Sequence, residues 1–355
     1  MSRFFSDKYR LLVPYTPGEQ PQDKTYIKLN TNESPFPPSE KAQQAAAQAA
    51  AQLQLYPDPE SRVLTEKVAQ LCGVQPDEVL LTNGSDEILN FAFMAFCDDG
   101  HPAVFPDITY GFYSVFARCN GVPYSEIPLT EDLTVRVEDY LGIGKTIFLA
   151  NPNAPTGMAL SVAEVERIVS SNPDTVVVID EAYVDFGGES CIPLIHKYDN
   201  LLVTQTFSKS RSMAGARLGF GVGCAALIRD LNTLKYAVNP YNINRMTAAA
   251  GLGMLADEET TRQNCRTIMD NRAFTVGALT ELGFEVVPSM TNFVFARHPK
   301  LDGEWLYKTL KERGILVRHF ATPRLKDYNR ITIGSREQME TLAATVEQIV
   351  KEVSR

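Results

Sequence analysis

The sequence predicts an α/β protein with a large domain, whose mostly parallel sheet is sandwiched by helices, and a smaller α+β domain after it. Three observations predict this architecture. From about residue 79, short β-branched or apolar runs alternate with helical stretches, and runs that are apolar on both faces belong to buried parallel strands. Near residue 240 this rhythm breaks at Pro240 and the Asn-rich run 239–244, and strands and helices then follow in a different order. At 355 residues and 44% hydrophobic content, the chain is long enough for one large core with an appendage.

Composition excludes several classes. The formal net charge of −9, with no basic stripe against it, argues against a nucleic-acid or anionic-membrane partner. The 6 cysteines are scattered without a CxxC pair and the 4 histidines are dispersed, so neither a metal site nor a disulfide framework is expected. The opening MSRFFSDKYRLLVPY carries charges where a leader is apolar, and no run approaches the roughly 18 apolar residues of a membrane span. The expectation is a soluble, reduced, cytoplasmic protein.

Taken in order, residues 1–38 read as an N-terminal arm laid over the small domain and active site. The run Asn30-Thr31-Asn32-Glu33-Ser34-Pro35-Phe36-Pro37-Pro38 excludes helix and central strand, since proline lacks the N–H that both need. Ser39 caps an Ala/Gln-rich helix that stops at Tyr56-Pro57-Asp58-Pro59, and a second helix over 61–71 is closed by Gly73. The large domain, 39–240, then alternates: a strand at 79–81 leads to a helix at 85–96, 103–105 to 110–118, and 146–150 to 161–170. Ser161 and Glu164 form a capping box there. Runs at 175–179 and 201–204 continue the sheet. The small domain, 241–355, holds helical stretches to Leu282, strands at 284–287, 293–296, 315–318 and 330–333, and helices near 303–313 and 336–353. Two resemblances to nucleotide motifs are set aside. Gly144-Lys145-Thr146 has Asp139 where a P-loop needs its first glycine, and Gly221-Val222-Gly223-Cys224-Ala225-Ala226 lacks the acidic partner of a dinucleotide fold.

Ligands of open parallel sheets bind at the carboxyl ends of strands, and four such ends carry unusual residues. At Thr82-Asn83-Gly84-Ser85-Asp86-Glu87 a strand enters a helix N-terminus, where the amides of Ser85 and Asp86 suit a phosphate or serve as an ordinary cap. Tyr110 stands where a ring stacks on a flat heteroaromatic group or joins the core. Asp180 ends an apolar strand, and a buried carboxylate there needs a cation or strong donor, such as a protonated pyridine nitrogen. Tyr183, three residues on, is within reach of that ring's phenolic oxygen. The fourth end holds Lys209 among Thr206, Ser208, Ser210 and Ser212, with Arg217 beyond. That composition serves an amine attacking a carbonyl beside a held phosphate, and equally a solvated basic loop. Together the four ends meet the needs of pyridoxal 5'-phosphate.

The chain resembles the fold-type I pyridoxal-phosphate-dependent aminotransferases and, within them, the histidinol-phosphate aminotransferase family. The resemblance rests on Lys28-Leu29-Asn30-Thr31-Asn32-Glu33-Ser34-Pro35, Tyr56-Pro57-Asp58-Pro59, Asn83-Gly84-Ser85-Asp86-Glu87, Asn153-Ala154-Pro155-Thr156-Gly157, Asp180-Glu181-Ala182-Tyr183, Ser208-Lys209 with Ala214-Gly215-Ala216-Arg217, and Arg330-Ile331-Thr332-Ile333-Gly334. These stretches follow the family's order along nearly the whole chain. The resemblance implies that Lys209 binds the cofactor aldehyde, Asp180 pairs with the pyridine nitrogen, Tyr183 bonds the ring hydroxyl oxygen and Tyr110 stacks on the ring. It implies that Ser85, Asp86, Thr206, Ser208 and Arg217 hold the phosphate, with Tyr56 reaching in from a second subunit of a homodimer. Where the family has a second asparagine that bonds the ring hydroxyl, this chain has Ala154, which leaves Asn153, a water or Tyr183 alone to serve it.

The implied reaction is ping-pong transamination of L-histidinol phosphate with 2-oxoglutarate, a step of histidine biosynthesis. Its two substrates carry anions that suit the planar forks of Arg318 and Arg330, with Tyr15 of the arm as a further contact to the substrate phosphate. The residues leave alternatives open: an aromatic or broad-specificity aminotransferase, a threonine-phosphate decarboxylase, or a non-catalytic module that holds the cofactor.

Overall fold

The structure is a computed structural model that describes residues 2–10, 12–13 and 15–353. The chain passes through a short strand, β1 (Ile27–Lys28), into α1 (Glu40–Ala50), whose cap Ser39 accepts the Ala42 N–H at 3.3 Å. After α2 (Arg62–Cys72), β2 (Val79–Thr82) runs into α3 (Ser85–Phe96), and β3 (Ala103–Pro106) into α4 (Phe112–Asn120). Next come β4 (Tyr124–Ile127), β5 (Thr146–Ala150), α5 (Val162–Ser171) with its reciprocal Ser161–Glu164 cap, and β6 (Val177–Asp180). The unit closes with β7 (Leu201–Thr206), β8 (Gly219–Gly223) and α6 (Ala225–Val238).

These strands form one seven-stranded sheet in the order β2-β8-β7-β6-β5-β3-β4, in which only β8 runs antiparallel to its neighbours. Alternation along the strands feeds two separate cores. Ile147, Leu149, Val177, Ile179, Leu201 and Val203 point to one face, and Phe105, Phe148, Val178 and Leu202 to the other. Within this sheet and its helices, two elements were absent from the sequence expectation. The edge strand β4 reads YSEI and is only partly buried, so it lacks the apolar run that marks an interior strand. Helix α6 lies in the segment read only for its glycines, and the antiparallel β8 before it cannot open a parallel βαβ unit.

The C-terminal third contains α7 (Arg245–Leu255), α8 (Glu258–Glu281), β9 (Glu285–Val287), β10 (Phe293–Arg297), α9 (Gly303–Glu312), β11 (Ile315–Leu316), β12 (Arg318–His319), β13 (Tyr328–Thr332) and α10 (Arg336–Val353). An antiparallel sheet in the order β12-β13-β10-β9 packs on a core that includes Phe293, Ile331, Leu342 and Ile349. Helix α7 lies beyond residue 240 yet packs with the large unit. Its Ala250 and Met254 share a core with Leu64 and Leu218, and a Cβ at Gly253 would fall 2.5 Å from the Ala42 Cα of α1. The expected strand at 315–318 is divided: Ile315 and Leu316 pair in parallel with Ile27 and Lys28 of the arm, whereas Arg318 and His319 pair with β13. The arm is thus hydrogen-bonded to β11. Lys24 adds a bond to the Glu312 carbonyl at 2.9 Å, and Glu19 bonds Tyr307 and Lys311.

Candidate active site

Because β2, β5, β6 and β7 all run the same way, their carboxyl ends share one edge of the sheet. An inner cavity of about 340 Å³ opens there, lined by Ser85, Asp86, Tyr110, Ala154, Asp180, Tyr183, Thr206, Ser208, Lys209 and Arg217 among others. Four loops spread over more than a hundred residues of the chain therefore meet at this edge.

The floor is Asp180, the last residue of β6, which is 4% exposed. Its carboxylate accepts the Ala182 N–H at 3.2 Å and the Tyr113 hydroxyl at 3.3 Å, and no ion pair holds it among the described residues. Burial, reinforced by the charge of Asp86, pushes its pKa up to about 7. Glu181 beside it is also raised to about 7 by burial, yet it points away from the cavity and accepts from Ser190 Oγ (2.6 Å), the Cys191 N–H (2.6 Å) and Gln205 Nε2 (2.9 Å). The two neighbouring acids thus differ in what satisfies them. Glu181 has its donors within the protein, whereas Asp180 faces a space that fits a cation.

A cradle suited to an anion is built where β2 turns into α3. Gly84 adopts φ +73°, and a Cβ there would fall 2.5 Å from Arg217 Nη2, so only glycine lets the arginine lie over the turn. The first-turn amides of α3 have no partners in their own helix, and the helix dipole adds to their pull on an anion. Arg217, itself in the left-handed region at φ 56°, donates to Asp86 Oδ2 at 3.0 Å and to Ser208 Oγ at 3.3 Å. Thr206 Oγ1 lies 2.9 Å from Ser208 Oγ, and the Tyr110 hydroxyl donates to Asp86 Oδ1 at 2.6 Å. Lys209 Nζ donates to the Thr31 carbonyl at 3.4 Å and stands 5.8 Å from the centre of the Tyr183 ring.

Lys209 and Tyr183 also line an outer cavity of about 840 Å³ between the two units, together with Tyr15, Asp107, Arg318 and Arg330. Arg330 donates to the Asn30 carbonyl at 3.2 Å, its Nε is buried without a partner, and burial pulls its pKa below the usual arginine range. Arg318 donates to the carbonyls of Pro17 (3.2 Å) and Thr16 (3.1 Å), and the Tyr15 ring packs 4.3 Å from that of Phe112. Both arginines therefore hold the arm and still offer donors to the cavity.

Two expected residues stand apart. Asn153 does not line the inner cavity: its amide is committed to the Ile108 carbonyl (3.0 Å), Thr156 Oγ1 (3.1 Å) and the Thr109 hydroxyl (2.8 Å), so it supplies nothing in place of the side chain missing at Ala154. Tyr56 is 76% exposed, stacks on Tyr241 at 4.6 Å and lines neither cavity of its own chain. The structure also brings in residues that the motifs did not single out. Tyr113, in the first turn of α4 and three residues after Tyr110, reaches Asp180, and that spacing was its only signal. Asn32 bonds the Tyr183 hydroxyl from the arm. Arg211, whose side chain is 6% exposed, ties the Lys209 loop to Asp185 and Glu258.

These residues fit pyridoxal phosphate: an uncompensated buried acid for the ring nitrogen, an anion cradle shaped around Gly84, and an amine between them. Fold and site together define a pyridoxal-phosphate-dependent transferase. The family model of aminotransferase class I and II matches residues 24–346. Histidinol-phosphate aminotransferase 1 of Bordetella parapertussis is 49% identical over 353 residues, covering 98% of this chain and 99% of that protein. Histidinol-phosphate aminotransferase of Brachyspira hyodysenteriae is 45% identical over 353 residues, covering 99% and 100%. Among solved structures, histidinol-phosphate aminotransferase of Sinorhizobium meliloti in complex with pyridoxal-5'-phosphate superposes with a TM-score of 0.85 at 25% identity, covering 93% of this chain and 92% of that one. The chain belongs to the histidinol-phosphate aminotransferase family of class I and II aminotransferases.

Proposed function

We propose that this protein transfers the amino group of L-histidinol phosphate to 2-oxoglutarate with pyridoxal phosphate as cofactor, a step of histidine biosynthesis. The observation that carries the reading is the position of Lys209, which lines both the inner cavity with Asp180 and Arg217 and the outer cavity with Arg318 and Arg330. Bound pyridoxal phosphate supplies an electrophilic aldehyde and an electron-accepting ring.

The chain's own residues have separable tasks. Asp180 would hold the proton on the ring nitrogen, Tyr110 and Tyr183 would hold the ring, and Ser85, Asp86, Thr206, Ser208 and Arg217 would retain the phosphate. Lys209 holds the cofactor until an amino donor arrives, and its released Nζ carries the proton lost from the donor's α-carbon. Arg330 and Arg318 orient the anionic end of each substrate, and Tyr15 closes the outer wall.

Three coarser features belong to the same proposal. The exposed Tyr56, with Leu53, Leu55 and Tyr241 around it, supports a homodimer in which this edge completes the partner's active site. The division into an arm (1–38), a large domain (39–240) and a small domain (241–355) belongs to it, with helix α7 numbered in the small domain and packed on the large one. No helix among the described residues is long and apolar enough to cross a membrane, and the 6 free cysteines suit a cytoplasmic enzyme. A steady-state panel of histidinol phosphate, phenylalanine and threonine phosphate tests the substrate. The reading expects histidinol phosphate to have the highest kcat/KM, and a preference for phenylalanine, or release of carbon dioxide from threonine phosphate, overturns it.

A further inference from the structure

Asn32 is 1% exposed and adopts φ 55°, a left-handed conformation that a non-glycine residue holds only when its surroundings enforce it. Four hydrogen bonds enforce it here. Its backbone N–H donates to Thr332 Oγ1 (3.0 Å), its carbonyl accepts from Asn292 Nδ2 (2.9 Å), its Oδ1 accepts from Thr332 Oγ1 (3.1 Å), and its Nδ2 donates to the Tyr183 hydroxyl (2.9 Å).

Thr332 Oγ1 accepts the Asn32 N–H on one lone pair and donates its own hydrogen to Asn32 Oδ1. This places the NH₂ end of the amide against Tyr183. An amide nitrogen donates and does not accept, so the Tyr183 oxygen is the acceptor in that pair and its own hydrogen must find another partner. Tyr183 lines the inner cavity beside Ala154, which offers no polar group. Two cations face Tyr183, Lys209 at 5.8 Å from its ring centre and Arg330, and both are donors when protonated. The phenolic hydrogen is thereby left for an acceptor in the cavity.

We propose that Asn32 is a positioning residue that turns Tyr183 into an obligate hydrogen-bond donor toward the ring oxygen of the bound cofactor, making this single phenol serve a wall that Ala154 leaves without a donor. The inference rests on the cofactor reading given above. It also gives the arm a role beyond covering the site, because the arm carries Asn32 to Tyr183 and, one residue earlier, presents the Thr31 carbonyl to Lys209.

The test reads the pH midpoint at which the visible band of the Lys209-bound cofactor changes. A donor on the ring oxygen favours the form in which that oxygen is the more anionic, so losing the donor moves the midpoint up. Asn32→Gly deletes the side chain without straining the left-handed backbone, and Asn32→Asp keeps the shape but replaces the donor with an acceptor. Both are expected to raise the midpoint by roughly one pH unit, as Tyr183→Phe does. The Asn32→Gly/Tyr183→Phe double variant should rise no further than Tyr183→Phe alone. An unchanged midpoint in the Asn32 variants while Tyr183→Phe shifts, or additive shifts in the double variant, overturns the proposal. Should neither Asn32 variant fold, Thr332→Val frees the amide to turn over; it is expected to shift the midpoint in the same direction, and a parental midpoint overturns the inference. A parent protein that shows no visible band with pyridoxal phosphate instead removes the cofactor reading, and this inference with it.

Discussion

The floor and the rim of the active site are built in different ways. Asp180, Thr206, Ser208, Ser85 and Arg217 follow directly from the ends of β2, β6 and β7 or from the turn into β8, so the sheet that forms the core also sets their positions. The rim is assembled across the chain. Arg318 and Arg330 of the small unit bond carbonyls of Thr16, Pro17 and Asn30, residues about three hundred positions earlier. Arg324 pairs with Asp107 across the same cleft at 2.9 Å. On the function proposed above, the chemistry of the cofactor falls to the sheet, and the choice of substrate to contacts that depend on how the arm and small unit dock.

Substitutions on either side sharpen this contrast. On the floor, Lys209→Ala should lower kcat by about three orders of magnitude or more and abolish the visible absorbance of the lysine-bound cofactor; retained turnover would contradict the assignment. On the rim, Arg330→Ala should leave that absorbance in place while lowering kcat/KM for both histidinol phosphate and glutamate by about a hundredfold, the scale of a lost charged hydrogen bond. A loss confined to one substrate would show that the two anions do not share the site. The smallest expected effect concerns stability. Folding raises the Asp180 pKa from 3.8 to about 7, so the folded protein holds an extra proton between these values. In the cofactor-free protein this contribution to stability is present below pH 4 and is lost as pH rises through 7. Asp180→Asn should therefore raise the melting temperature of the cofactor-free protein at about pH 8 by about 2–5 °C and change it little at about pH 4. Glu181 titrates in the same window, so the parent's pH slope should diminish in this variant without vanishing. Equal melting temperatures for the two proteins at both pH values would separate Asp180 from that slope.

The same contrast explains what was legible in the sequence. Floor residues sit beside a strand signature, so the apolar run 176–179 announces Asp180, and the run 201–203 announces the loop that carries Lys209. Strands β5 and β7 and helix α3 begin where the residues predict, because local pattern and tertiary burial agree there. Rim contacts are non-local. Nothing near Asn32 in the chain points to Tyr183 or Thr332, and nothing near Arg318 points to Pro17. Asn153 misled for a related reason: its neighbour in the motif does line the cavity, but a one-residue step turns the side chain into the loop, where Thr109, Ile108 and Thr156 hold it. The split of the expected strand at 315–318 was likewise invisible, since it arises from the arm pairing with one half and β13 with the other.

The most direct measurement of the central claim adds glutamate alone to the cofactor-loaded protein and follows the visible band without any acceptor present. A floor that performs transamination converts the band to that of the aminated cofactor, and subsequent 2-oxoglutarate restores it. A band that persists unchanged under saturating glutamate would mean that the protein holds its cofactor without performing the reaction.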